Sequence, residues 1–347
     1  MKAALTSRGV QAALLAAVLF GAATPLAKAL LGEVNPWLLA GLLYAGSGVG
    51  LWVFRAVRRT PRVRLARTDR GPLVGAVISG GIVAPVLLMF GLSAMPASGA
   101  ALLLNAEAVF TVGLAWLVFR EPVSRRILLG MLAIVAGAVV LSVPTLVEFG
   151  SLLPTLAVLG ACLAWGVDNN LTRKVSLNDT TWLAAVKGAV AGPVNLVLGF
   201  ALGAQLPAPG PIGAAMAVGF VSYGVSLALF IFGMREVGTA RAGAYFSIAP
   251  FVGAVLSLAF GEPLGWPLIP AGVLMAFGVW LHLTERHTHA HHHDASAHDH
   301  WHTHDIHHQH DHLDDSAPRG GHRHWHEHPE VTHDHRHFPD THHPHRH

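Results

Sequence analysis

The chain has 347 residues, 52% of them hydrophobic and only 12% charged, although 25 are histidine. That balance excludes an ordinary water-soluble enzyme. The formal net charge of +3 hides two unlike parts: 18 Lys and Arg stand against 9 Asp and Glu before residue 285, and 5 against 11 after it, giving +9 and −6. The basic balance of the whole chain is therefore no argument for a nucleic-acid partner.

A bilayer core needs about 20 apolar residues per helix, and ten apolar runs follow one another along the chain. They lie near residues 10–31, 36–54, 72–94, 97–119, 127–143, 152–171, 181–202, 212–233, 241–260 and 267–284. The first run is longer than a signal-peptide core and no polar cleavage region follows it, so it reads as a retained membrane helix. A soluble core would need polar faces at helical spacing, which these runs lack. Cys162, the single cysteine, lies inside the sixth run, so no intrachain disulfide is available and a buried thiol is expected.

Lysine and arginine are retained on the cytoplasmic side of membrane proteins. Here one alternate set of connections holds all the loop cations: Lys2 and Arg8; Arg55, Arg58, Arg59, Arg62, Arg64, Arg67 and Arg70; Arg120, Arg125 and Arg126; Arg173 and Lys174; Arg235 and Arg241. The opposite connections hold none. Both termini are accordingly expected in the cytoplasm, with the chain in an inner (plasma) membrane.

The second half echoes the first. Phe119-Arg120-Glu121-Pro122 matches Phe260-Gly261-Glu262-Pro263 at an offset of about 141, Gly137 meets Gly278 at the same offset, and Leu19-Phe20-Gly21 meets Ala164-Trp165-Gly166 at 145. Five helices make the repeat. An odd number forces the second copy to enter the membrane from the other side, which gives an inverted pair of the kind found in secondary transporters. Gly130, Ala133, Gly137, Gly272, Ala276 and Gly278 suit close helix packing, with or without motion.

The stretch Leu103-Leu104-Asn105-Ala106-Glu107-Ala108-Val109-Phe110-Thr111, followed by Ala115-Trp116-Leu117 and Phe119-Arg120-Glu121, resembles the fourth-helix signature of the EamA family of the drug/metabolite transporter superfamily. The resemblance covers roughly residues 10–284. It implies a duplicated ten-helix plan and a small-molecule cargo such as an amino acid or another metabolite, often exported.

Charges in hydrocarbon cost several kcal/mol, so an ionisable group at membrane depth is a functional candidate. Glu107 is the foremost, placed near the midplane as a cargo contact or proton acceptor, or else as a structural carboxylate. Lys187 and Asp168 should lie at similar depth and form an ion pair that either gates or merely holds helices, although a lysine can also snorkel to the interface without a partner. Lys28 is expected to snorkel. Asn105, Ser222, Tyr223, Ser226 and Tyr245 supply neutral hydrogen-bonding groups for a polar cargo, as do Asn169, Asn170 and Asn195, though most are expected only to join helices. Pro25, Pro85, Pro193 and Pro250 each free a backbone carbonyl and are expected to kink their helices. The cavity is expected among the third, fourth, eighth and ninth runs.

Residues 285–347 hold 24 histidines and few aliphatic residues, so they are expected to be disordered. The segment repeats at an offset of 35: His287, His289, His291, His293, His298, His300, His302, His307, His308, His310 and His312 align with His322, His324, His326, His328, His333, His335, His337, His342, His343, His345 and His347. Neutral imidazole is a good ligand for Zn, Ni, Co and Cu, so transition-metal binding is expected here. A pH-responsive brush and a dispensable tail are the rival readings.

The sequence thus specifies an all-α polytopic membrane protein with ten helices in two inverted repeats. Residues 1–9 form a cytoplasmic start, 10–143 the first repeat, 144–151 an outer linker, 152–284 the second repeat and 285–347 the tail. No phosphate-binding loop of an ATPase is present. No cofactor is required, and the expected partners are the lipid bilayer, a small-molecule cargo and metal ions at the tail. The expected function is non-ATP transport of a metabolite by alternating access, with export as its direction. The alternatives are a Ni, Co or Zn exporter fed by the tail, and a membrane-anchored metal buffer or sensor.

Overall fold

Helices begin where a residue can satisfy, or dispense with, a first-turn N–H. Asn35 Oδ1 accepts from the Trp37 N–H at 2.9 Å where Pro36 opens its helix, and Asp179 Oδ1 accepts from the Trp182 N–H at 2.8 Å just before Thr180. The computed structural model describes residues 7–61, 63, 65–119, 124–149, 152–176, 178–237 and 239–284, together with the backbone of four strands between 288 and 336.

In chain order the helices are α1 (Arg8–Gly21), α2 (Ala23–Leu30), α3 (Pro36–Val57), α4 (Arg67–Ala76), π1 (Val77–Val83), α5 (Ala84–Ser93), α6 (Ala97–Leu103), α7 (Ala106–Phe119) and α8 (Arg125–Phe149). Then come α9 (Leu153–Val175), α10 (Thr180–Ala201), α11 (Pro209–Val218), π2 (Gly219–Val225), α12 (Ser226–Val237), α13 (Thr239–Phe246), α14 (Ala249–Ala259) and α15 (Leu268–Leu283). Among the described residues, six stretches are long and apolar enough to cross a membrane: Arg8–Leu30, Pro36–Val57, Arg67–Ser93, Ala97–Val118, Thr180–Ala201 and Pro209–Val237. Shorter apolar helices cover Ala249–Ala259 and Leu268–His282. Large side chains such as Leu117, Val139, Val255 and Val273 face outward, as a hydrocarbon surrounding allows, while Leu38, Leu39, Leu43, Leu88, Met89 and Leu103 are fully buried.

The interruptions are spaced as the repeat is. The seven-residue π-helical turns π1 and π2 begin at Val77 and Gly219, 142 positions apart. The break at Leu104-Asn105 between α6 and α7 recurs at Ser247-Ile248 between α13 and α14, 143 positions on. Pro250 lies just beyond the second break, and Pro25 just beyond the break at Ala22 between α1 and α2. Pro193 behaves otherwise, since α10 runs through it without interruption.

Pro85 explains how π1 is held. The Ala84 N–H bonds the Ser79 carbonyl, five residues back, and Pro85 has no N–H to give to Gly80 or Gly81. Other helices supply the missing donors. Tyr44 Oη and Trp165 Nε1 donate to the Gly80 carbonyl at 2.6 and 3.1 Å, and Asn195 Nδ2 donates to the Gly81 carbonyl at 3.0 Å. Helices α3, α9 and α10 are thereby tied to one irregular turn.

Close backbone approach joins the rest. A Cβ on Gly48 would meet the backbone of Gly188 and Ala189, so α3 and α10 touch main chain to main chain, and Gly130 against Gly278 does the same for α8 and α15.

Arg55 departs from the expectation of a solvated loop cation. Its side chain is buried, and its Nη1 donates to Asp179 Oδ1 and Thr181 Oγ1, both at 2.6 Å, while Nη2 reaches the Pro61 carbonyl at 3.1 Å. Burial alone would raise the Asp179 carboxyl. The Thr181 hydroxyl, the Trp182 N–H and the Arg55 guanidinium outweigh it and hold the group below the usual carboxylate range. A depressed folded-state value means that this contribution is present above the ordinary range, about pH 4, and is lost as pH falls through the lower value. Thermal melting in detergent should show a smaller acid-side loss of stability in Asp179→Asn than in the parent.

The tail, a separate unit, is not the wholly disordered segment that its composition predicts. Strand β1 (Thr288–His293) pairs antiparallel with β4 (Val331–Arg336), and β2 (Ser296–His302) with β3 (His322–His328). The alternation of His with other residues has the period of a strand. His287, His307, His308, His310, His312, His337, His342, His343, His345 and His347 lie outside the described residues.

Candidate functional site

The break between α6 and α7 sets two polar residues where a continuous helix would hide its backbone. Asn105 is buried, and its Nδ2 donates to the Leu102 carbonyl at 2.9 Å and approaches Met275 Sδ at 3.8 Å. Its Oδ1 is buried without a hydrogen-bond partner, as is Asn195 Oδ1 beside π1. Buried acceptors without partners are uncommon in folded proteins, and each invites an explanation. The Cys162 thiol lies 3.6 Å from the Leu103 carbonyl freed by the same break.

Glu107 stands in the first turn of α7, where the positive end of the helix dipole favours a carboxylate. Asn169 Nδ2 donates to its Oε1 at 2.7 Å and also reaches Thr111 Oγ1 at 3.3 Å. Asn170 on the adjacent position donates to the carbonyls of Thr111 and Gly166 at 3.0 and 2.9 Å, clamping α9 to α7. Among the described residues, no cation lies within ion-pair distance of Glu107, and its carboxylate is met by the Asn169 amide and the end of the helix.

The expected pair of Lys187 and Asp168 is formed, and it is deeply buried. Lys187 Nζ lies 2.5 and 2.8 Å from the two Asp168 oxygens and donates to Thr172 Oγ1 at 3.0 Å, while Thr172 Oγ1 donates to Asp168 Oδ1 at 2.8 Å. All three ammonium protons are used, so snorkelling does not describe this lysine. Gly80 makes room for the pair, since a Cβ there would overlap the Asp168 carboxylate.

Aromatic rings surround the same level. Phe20 meets Trp165, Tyr223 and Phe246 at centroid distances of 5.9, 5.7 and 5.4 Å, and Tyr44 meets Tyr223 at 5.4 Å. Trp165 and Asn169 are one helical turn apart on α9, so the rings and the Glu107 carboxylate neighbour one face of that helix.

The remaining sequence-selected residues divide. Tyr223 and Ser222 are buried within π2. Ser226 donates to the Ala16 carbonyl at 2.8 Å and so joins α12 to α1. Tyr245 packs on a different apolar cluster, with Leu73, Val77, Leu183 and Phe230, and is not brought to Glu107. At the opposite end, Lys28 does not simply snorkel: its Nζ donates to the carbonyls of Leu92, Ser93 and Met95 at 2.8, 3.3 and 3.0 Å. Glu262, seen in the sequence only as part of the repeat, accepts from the Ala97 and Ser98 N–H groups at 2.6 and 2.7 Å and caps α6. Tyr44 had no sequence signal beyond its residue type, Trp165 was visible only as part of the repeat, and Arg55 only as a loop cation. Among the residues whose side chains are described, all of them before residue 285, no group of three or more His, Cys, Asp or Glu is placed to hold a metal ion.

A helical bundle with an apolar exterior and a buried polar level crossed by interrupted helices is a multi-pass membrane protein of the transporter class. Residues 7–143 and 152–284 each match the EamA-like transporter family, and the chain belongs to that family. It is similar to an uncharacterized transporter of Methanothermobacter thermautotrophicus, 29% identical over 287 residues, with 77% of this chain and 83% of that protein covered. It is also similar to the uncharacterized transporter YyaM of Bacillus subtilis, 24% identical over 226 residues, covering 57% of this chain and 72% of the relative. A solved crystal structure of a protein superposes with a TM-score of 0.61 at 19% identity over 78% of this chain and 95% of the other, which shows a shared fold. The protein is thus a membrane transporter, not an enzyme.

Removing one partner of a buried ion pair strands the other charge, at a cost of about 3–5 kcal/mol, whereas replacing both by apolar residues is often near neutral. Thermal melting in detergent should therefore show Asp168→Asn strongly destabilised, and Asp168→Leu combined with Lys187→Met closer to the parent.

Proposed function

We propose that the protein moves a small amine-bearing metabolite, of the amino acid type, out of the cell by alternating access of two inverted five-helix repeats that together span the membrane ten times, with both termini in the cytoplasm. The observation that carries this reading is the matched spacing of the interruptions, π1 with π2 and the α6/α7 break with the α13/α14 break. Interrupted helices at corresponding places in two halves are where transporters build their binding sites.

The site chemistry favours the amine. Among the described residues Glu107 offers a carboxylate that no cation pairs with, Asn105 Oδ1 is an acceptor without a donor, and Lys187 is wholly engaged by Asp168 and Thr172. An ammonium group entering this region finds acceptors, while an anion finds Lys187 already engaged. In this reading Glu107 also carries the coupling proton, and the Lys187 to Asp168 pair gates the cytoplasmic half by opening and re-forming.

Transport by protein reconstituted in vesicles should depend on pH, and Glu107→Gln should abolish that dependence together with uptake of the amine. A mutant with the parent's pH profile removes Glu107 from the mechanism. A second reading, export of Ni, Co or Zn, draws on the two aligned histidine repeats of the tail. Deletion of residues 285–347 separates the two: metabolite transport persists in the first, and metal transport weakens or fails in the second. In the third reading, a metal buffer or sensor, the same deletion removes metal retention alone.

A further inference from the structure

The two copies of the histidine repeat are paired with each other in two pairs of strands. Thr288 stands opposite Arg336, His293 opposite Val331, Ser296 opposite His328 and His302 opposite His322. Within each pair of strands, each step forward on the first copy is matched by one step back on the second.

That register sets histidine against histidine. In the outer pair of strands His289 is opposite His335 and His291 opposite His333. In the inner pair His298 is opposite His326, His300 opposite His324 and His302 opposite His322. Residues two apart on a strand share a face, and directly opposed residues have Cβ atoms about 4.5–5.5 Å apart. Histidines 289, 291, 293, 333 and 335 therefore hold one patch of a ribbon face, and 298, 300, 302, 322, 324, 326 and 328 hold another.

The same parity sorts the carboxylates away. Asp334 is opposite Ala290 in the outer pair, while Asp299 is opposite Trp325 and Glu327 opposite Ala297 in the inner pair. These positions alternate with the histidines and fall on the other face. Each histidine patch is thus a nitrogen-only donor set, which suits Zn²⁺, Ni²⁺, Co²⁺ or Cu²⁺ and not the oxygen-seeking Mg²⁺ or Ca²⁺.

We propose that the tail is a two-site transition-metal clasp in which each site takes imidazoles from both copies of the repeat within one chain. The direct repeat supplies like residues, and antiparallel pairing brings the leading histidines of one copy to the trailing histidines of the other. This inference concerns the tail alone and stands whether or not the transport reading holds.

The test is titration of the full-length, detergent-purified protein with Ni²⁺, read by calorimetry. Two tightly held ions per chain are expected, with Mg²⁺ in excess displacing neither. Replacing His289 and His291 by alanine should remove one ion, and replacing His333 and His335 should remove that same ion, so that all four replacements together cost no more than either pair. Alanine at His298, His300 and His302, or instead at His322, His324 and His326, should remove the other. The proposal is overturned if the His289/His291 and His333/His335 variants lose separate ions and their losses add, or if capacity simply falls in proportion to the histidines removed. These variants leave the bundle untouched, so thermal melting of residues 7–284 serves as the folding control.

Discussion

Hydrocarbon offers no hydrogen bonds, so a helix that is interrupted inside it must have its freed carbonyls met by other helices. In this protein Pro85 creates that demand at Gly80 and Gly81, and Tyr44, Trp165 and Asn195 answer it from three separate helices. The irregular turn is consequently the point at which α3, α9 and α10 converge. The absence of a side chain at Gly80 then lets Asp168 come close enough to hold Lys187 beside it. One proline and one glycine thus organise most of the polar chemistry at this level.

The buried polar groups fall into two kinds. Lys187, Asp168 and Thr172 saturate one another, as Arg55, Asp179 and Thr181 do near the end of α3, and such closed sets hold helices together. Asn105 and Asn195 are different, because each keeps a buried oxygen without a hydrogen-bond partner, and Glu107 is met by the Asn169 amide with no described cation in ion-pair contact. Desolvating such groups costs free energy that the fold alone does not return. In the proposed mechanism a cargo or a proton that meets them restores the balance.

The tail obeys other rules. It has too little aliphatic surface to form a core, and its order rests on backbone pairing between two copies of one sequence. Two-stranded ribbons are marginal in water by themselves. A ligand that binds only the paired form adds its binding free energy to the pairing, which is the role the proposed clasp gives to its metal ions.

Much of this was legible in the sequence. Hydropathy is a local property, summed over about one membrane thickness, and it placed the apolar runs close to the helices found. The echo of Phe119-Arg120-Glu121-Pro122 in Phe260-Gly261-Glu262-Pro263 disclosed the duplication, and the rarity of charge at membrane depth singled out Glu107, Asp168 and Lys187. The partners were not legible. That Lys28 would cap the end of α5, that Glu262 would cap α6, that Ser226 would join α1 while Tyr245 turned to another cluster, and that Tyr44 and Trp165 would share one carbonyl all depend on which helices face each other. The chain by itself determined which segments leave water and which polar residues go with them, because transfer free energy is written residue by residue. Only the tertiary structure decided which of those residues are satisfied and which are left open, because hydrogen bonds between helices depend on distances of a few tenths of a nanometre between groups as many as 210 positions apart in sequence.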